Sequence, residues 1–256
     1  MKKMSKYEEE YYKLLPRVTR ICNFFLLGKK LIVEGSENFV KEGGNIIVGN
    51  HIGSYKDVST LFRIIPRLVF FTANREIFTR QDFNWLVRRH LVRHMGKIGA
   101  FINFLINPIK FLFVDYISSN IEKVGSIPVD MGWKKSLAIQ KCQEYVKKGR
   151  AIITLQGRGR IQAEHPNPYI YPFRRGPSII AYNVYKETGL KIPVTPIAMF
   201  GTHYAWVVPA KIRVRVGEPM YVTDYLENDM AATIERFRAA LEAKVTSMIL
   251  DIIRNR

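Results

Sequence analysis

The stretch GNHIGSYKDVST, residues 49–60, sets a histidine, His51, behind a short apolar run, with an aspartate, Asp57, five intervening residues further on. Histidine changes charge close to neutral pH, so on a loop it can take a proton from a hydroxyl through one ring nitrogen. A carboxylate at the other nitrogen fixes the tautomer and raises the basicity of the ring. The same residues allow a quieter reading. Ser54 and Asp57 have the spacing of a capping box, with serine as N-cap and aspartate reaching back from the third helical position. His51 would then be an ordinary polar loop residue. A carboxylate has several lone pairs, and the two roles of Asp57 need different ones.

Other reactive side chains offer less. His90 and His94 in RRHLVRH have i, i+4 spacing, but no carboxylate or thiol cluster accompanies them, so a basic helix face is expected and no metal site. His165 and His203 fall in loops, and His203 follows a strand end from which it could line a site. Cys22 and Cys142 make no disulfide framework; they read as small buried hydrophobes in a reducing compartment.

The elements that must position these residues alternate. Residues 7–27 carry Leu14, Leu15, Val18, Ile21, Cys22, Phe25 and Leu26 at helical spacing, with a kink or restart at Pro16. KKLIVEG and GGNIIVGN read as strands, and the second carries Asn50 and His51 at its carboxyl end, where open α/β sheets place ligands. A short helix from Asp57 to about Ile65 stops at Pro66. RLVFFTAN is the next strand; helix 134–148 feeds the strand RAIITLQG, and helix 177–188 feeds KIPVTPIAMFG. KIRVRVGEP alternates as a half-exposed strand. The tail, residues 230–256, is a helix in which Met230, Ile234, Phe237, Leu241, Val245, Met248 and Ile252 recur every three or four residues. This order predicts a single α/β domain over residues 1–256, with a mostly parallel central sheet flanked by helices and an amphipathic N-terminal helical segment over 1–29.

The chain is 256 residues long, 47% hydrophobic and 24% charged, which rules out a disordered chain, and its net charge of +18 calls for an anionic partner. Nucleic acid, anionic lipid headgroups and phosphorylated or CoA-like substrates all fit that charge. No zinc spacing, RNP-like segment or recognition-helix pattern supports nucleic acid, which stays the lesser alternative. The N-terminus lacks the apolar core of a secretory signal. The most apolar run, residues 99–117, is broken by Asn103, Asn107, Pro108, Lys110 and Asp115, so no spanning helix is expected.

Seven blocks occur in order over roughly residues 30–222: GNHIGSYKD, TANREIF, VGSIPVDMG, KKGRAIITLQGRGR, YPFRRG, KIPVTPIAMFGT and KIRVRVGEPM. Together they resemble the PlsC-type glycerolipid acyltransferases, the lysophospholipid acyltransferase superfamily. The resemblance implies transfer of a fatty acyl group from acyl-CoA or acyl-carrier protein to a hydroxyl, as on lysophosphatidate or glycerol 3-phosphate, with no further cofactor. His51 would be the general base and Asp57 its orienting carboxylate. The acceptor would attack the thioester directly, in keeping with the lack of a G-x-S-x-G nucleophile elbow.

This chain departs from the family pattern at three places. The family usually places one residue fewer between histidine and aspartate; the added one is expected to be absorbed at Gly53, which tolerates unusual backbone angles. Gln156 and Gly157 stand where the family has glutamate and glycine, and Gln156 keeps the capacity to grip an acceptor hydroxyl without the charge. Arg158 and Arg160 are candidate phosphate ligands, since guanidinium forks match phosphate oxygens. Asn74 takes the place of a common lysine, and Arg75 could supply the displaced charge; Arg174, beside Arg175, lies near the same mouth. A lipid-binding pseudoenzyme, uncoupled by the longer loop and Gln156, is the alternative within the fold.

An enzyme of that class meets anionic membrane lipids. Residues 83–123 form an expected membrane-facing insertion: Trp85, Phe101, Phe104, Leu105, Phe111, Phe113 and Tyr116 lie among Arg88, Arg89, Arg93, Lys97 and Lys110. Phe24, Phe25, Leu26 and Leu27, ahead of Lys29 and Lys30, make a second anchor. The expectation is peripheral or monotopic attachment on the cytoplasmic side of a membrane.

Overall fold

The computed structural model describes residues 6–129, 135–206 and 208–255. Asp130 to Gly132, the end of the block VGSIPVDMG, and the side chains of His90 and His94 lie outside what is described. Seven strands form one mostly parallel sheet in the order β1-β7-β6-β2-β5-β3-β4, where β1 is Lys29–Glu34, β2 Asn45–His51, β3 Val69–Asn74, β4 Ile127–Val129, β5 Ala151–Gly157, β6 Val194–Phe200 and β7 Ala210–Val216. The pairings β1–β7, β2–β5, β2–β6 and β3–β4 are parallel, and β6–β7 is antiparallel. The chain divides into two compact units, Met1–Leu15 with Phe71–Ala138, and Pro16–Phe70 with Ile139–Arg256.

The larger unit carries the core. Asn45 to Asn50 of β2 and all of β6 are buried, as strands covered on both faces must be, and this is why they read as continuous apolar runs. On β7 the inward residues Ile212, Val214 and Val216 are buried and alternate with Arg213 and Arg215. Helix α7, Met230–Arg254, packs on β6 through Ile234, Phe237, Leu241, Val245, Met248, Ile249 and Ile252, all buried. Met230, at its start, is exposed. Asp229 caps α7 by accepting from Ala232 N at 2.8 Å. Helix α6, Gly176–Thr188, opens on Pro177 and closes on Gly189 at φ 72, the left-handed C-cap conformation that glycine adopts without strain. Because β2, β5 and β6 run parallel, His51, Gly157 and Phe200 all end at the same edge of the sheet.

The smaller unit is mostly helical. Thr72 to Asn74 of β3 pair with β4, and Asn74 then caps the turn Arg75–Phe78 by accepting from Glu76 N at 3.2 Å. Helix α3, Arg80–Leu105, starts on Thr79, whose Oγ1 accepts from Asp82 N, and is broken at Gly96, where φ is 55 and ψ is −132. Helix α4, Asn107–Asn120, follows after a single residue. Arg80 lies over the Phe111 ring at 3.4 Å and pairs with Asp115 at 3.4 Å, tying the two helices together. Phe101, Phe104, Leu105, Ile109 and Leu112 face solvent. Among the described residues no single helix is long and apolar enough to cross a membrane; Gly96–Leu105 and Asn107–Asn120, bent at 78°, have that length and composition only as a pair.

Candidate functional site

His51 closes β2, and its Nδ1 lies 2.8 Å from Asp57 Oδ2. The five intervening residues therefore allow a direct contact. Asp57 is the third residue of helix α2, Tyr55–Ile64, and is fully buried. Its Oδ2 also accepts from Ile52 N at 2.9 Å and Gly53 N at 2.7 Å, so one oxygen serves the ring and the loop together. Asp57 Oδ1 has no hydrogen-bond partner among the described residues. With Nδ1 donating to Asp57, Nε2 is left as the unprotonated nitrogen, and the His51 side chain is 23% exposed, enough to be reached from outside.

The loop solves its length differently from the sequence expectation. The capping box does not form: Ser54 makes no side-chain cap bond, and Asp57 reaches the main-chain N–H groups of Ile52 and Gly53 instead. Nor does Gly53 supply the unusual backbone angle. Ser54 does, at φ 53 and ψ −123, and Lys56 N donates to Gly53 O at 3.1 Å. These are the geometry and hydrogen bond of a type II′ turn with serine at the position that favours glycine, a strain of about 1–3 kcal/mol. Gly53 is needed for space. A Cβ there would lie 2.3 Å from Thr202 Cβ and 2.6 Å from Thr202 O, in the turn after β6.

The segment after β5 forms the other wall. Gly157 pairs with His51 across the β2–β5 ladder at φ 141, and a Cβ there would lie 2.6 Å from His51 O. Gly159 was not anticipated from the sequence. Its N–H donates to His51 O at 3.1 Å, and at φ 69 a Cβ would stand 3.2 Å from His51 Nε2. Glycine thus leaves the space beside Nε2 clear. The alternation of glycine and arginine in GRGR was the available signal.

Asn50, placed by the sequence at the carboxyl end of its strand without a role, has a structural one. Fully buried, it donates to Met199 O at 2.9 Å and accepts from Met199 N at 2.8 Å, extending the β2–β6 ladder by side chain just before His51. A polar residue ending an apolar strand is the trace it leaves in sequence. Gln156 is buried as well; its Oε1 accepts from Arg174 N at 3.0 Å and its Nε2 makes a longer contact to Thr154 O at 3.5 Å. Helix α7 holds the same segment: Glu242 accepts from Phe173 N at 2.7 Å, and Glu235 pairs with Arg175 at 3.0 Å. Gln156, Gly157, Arg158, Arg160 and Arg174 are brought to one end of the larger unit, and the three arginines are exposed there. The Arg158 guanidinium lies 5.7 Å from the centre of the Tyr171 ring. Arg75 opens the turn Arg75–Phe78 in the smaller unit.

Around α2 the larger unit is aromatic. The end of helix α1, Lys6–Phe25, brings Phe25 to 4.4 Å from the ring of Tyr55, and Trp206 Nε1 donates to Phe24 O at 2.8 Å. His203 stacks on Tyr204 at 4.2 Å, against Phe200 and Tyr169. Lys56 Nζ donates to Tyr204 O at 2.8 Å; burial, then the charge of Lys29, pull the Lys56 ammonium below the usual lysine range, against the opposing pull of Asp57. His165 sits in an exposed loop, where its ring bonds Asn167 and its main-chain N–H donates to Gln162 O. No cluster of metal-ligating side chains occurs among the described residues.

No family model and no curated protein matches the chain. The fold, however, is that of a lipid acyltransferase of known structure. That protein is the 1-acyl-sn-glycerophosphate (LPA) acyltransferase PlsC from Thermotoga maritima, which aligns with 97% of this chain and 84% of its own, at a TM-score of 0.60 and 18% identity. The likeness is one of fold.

Proposed function

We propose that the protein is a membrane-associated O-acyltransferase that moves a fatty acyl group from acyl-CoA or acyl-carrier protein to a hydroxyl of a lysophospholipid such as lysophosphatidate. The observation that carries this reading is the 2.8 Å contact between His51 Nδ1 and Asp57 Oδ2, with Nε2 kept clear by Gly159. Asp57 accepts the Nδ1 proton and holds the ring; Nε2 takes the proton of the acceptor hydroxyl as its oxygen attacks the thioester carbonyl. The carbon–sulfur bond then breaks, and the imidazolium returns the proton to the departing thiolate. No acyl group is carried on the protein. Base catalysis of this kind contributes roughly 10²–10⁴-fold.

Arg158, Arg160 and Arg174 are the phosphate ligands of this reading. Gln156 acts as a positioning residue, because its carbonyl already accepts from Arg174 N. The exposed apolar side chains of α3 and α4, among Arg88, Arg89 and Lys97, support attachment to an anionic membrane surface. Purified protein incubated with mixed acyl-CoAs and a panel of lyso-acceptors is expected to yield a new diacyl product by mass spectrometry, absent with His51→Ala. Turnover unchanged in that variant would overturn the assignment; no product with any donor or acceptor would leave a lipid-binding protein without transfer activity.

A further inference from the structure

The two helices of the smaller unit enclose a cleft of about 390 Å³, lined by Asn84, Arg88, Asn103, Phe104, Asn107 and Lys110, a size at the lower end for small-ligand sites. Lys110 is 6% exposed, and its Nζ donates to Asn103 Oδ1 at 2.7 Å. An ammonium has three N–H groups, so the cleft retains donor capacity. Burial pulls the Lys110 ammonium below the usual range, and the charge of Arg88 adds to that pull. A buried ammonium with the exposed Arg88 in the same lining, and no carboxylate there, is costly unless an anion joins it. The first turn of α4 also carries no acidic residue, and its N-cap is Ile106, which has no polar side chain to offer. Asn84 Oδ1 is buried without a hydrogen-bond partner among the described residues, a position that asks for a donor.

The rim decides the source of the anion. Phe104 and Ile109 are each 75% exposed, and Phe101, Leu105 and Leu112 continue the apolar surface beside them. A free phosphate has no use for such surroundings, whereas a lipid sets its phosphate beside its own apolar chains. We infer that this cleft binds the headgroup of an anionic phospholipid, its phosphate between Lys110 and Arg88 and a headgroup hydroxyl donating to Asn84. The site lies wholly within the smaller unit and shares no residue with the His51 site. It rests on the membrane attachment proposed above.

Native mass spectrometry of the full chain released from phosphatidylglycerol micelles tests this. The native protein is expected to retain a bound phosphatidylglycerol, and Arg88→Gln and the near-isosteric Asn84→Asp are each expected to lose it at least tenfold. Lys123→Gln removes the same charge from the smaller unit outside the cleft lining and is expected to retain the lipid. Equal retention in all four proteins, loss in Lys123→Gln as great as in Arg88→Gln, or displacement of the lipid by inorganic phosphate would overturn the inference. Flotation with vesicles of phosphatidylcholine and phosphatidylserine reads the attachment separately. Protein that fails to float yet loses phosphatidylglycerol only in the cleft variants overturns the attachment and upholds the cleft.

Discussion

The His51 site and the α3–α4 pair make opposite use of their side chains. Around His51 the polar groups that fix the strand ends are buried and paired: Asp57 Oδ2 takes three donors, Asn50 bonds Met199 twice, and Gln156 holds Arg174 N. On the helical pair the apolar side chains are exposed, while a lysine is buried. The base proposed at His51 needs fixed geometry, which comes from strand ends over a packed core. The lipid-facing role proposed for the helical pair needs apolar area turned outward, and covering it from inside the unit would cancel that use.

Four changes would break or sharpen the contrast. His51→Ala should lower acyl transfer by roughly 10²–10⁴-fold while leaving vesicle binding intact; a parallel loss of both would join the two regions. The packed side should fail at alkaline pH. Burial pushes the Cys142 thiol from 9.0 to about 12. The unfolded chain therefore loses this proton first, and stability is fully present below pH 9 and falls as pH rises toward 12, by about 4 kcal/mol at 1.36 kcal/mol for each pH interval. Urea titrations across that range should show this fall diminished in Cys142→Ala, and an unchanged slope would remove the thiol as its cause. Next, Phe104→Ser with Ile109→Ser should weaken vesicle binding by about 3 kcal/mol, roughly 100-fold, since each apolar side chain contributes about 1.5 kcal/mol or more on burial. Turnover of a soluble short-chain acceptor should be unaffected. Smallest of all, Ser54→Gly should raise the unfolding free energy by about 1 kcal/mol by relieving the turn; a decrease would mean that the serine hydroxyl holds the loop by a bond the turn geometry does not require.

Much of the packed side could be read from sequence because its signals are periodic. Apolar runs marked β2, β5 and β6, and the spacing in the tail gave the buried face of α7 from Ile234 to Ile252. Residue type and spacing left the pairing of His51 with Asp57 open beside a helix cap, and the order of the seven blocks selected it. What could not be read depends on contacts between segments far apart in the chain. Gly53 looked like a source of backbone freedom, yet the demand on it comes from Thr202. Ser54 has no sequence mark of a left-handed angle, because serine adopts one only when neighbouring contacts enforce it. Gln156 read as a ligand, and only the fold shows its carbonyl turned toward Arg174 N. The division into two units passes through α1, β3 and the helix α5, Lys135–Lys147, with no linker to signal it.

The three bonds converging on Asp57 Oδ2 make the loop its own reporter. Any opening that frees the amides of Ile52 or Gly53 also withdraws the partner of His51, so no half-open loop carries an oriented ring. Hydrogen–deuterium exchange at those two amides then counts, without any substrate, the fraction of molecules disarmed at a given moment.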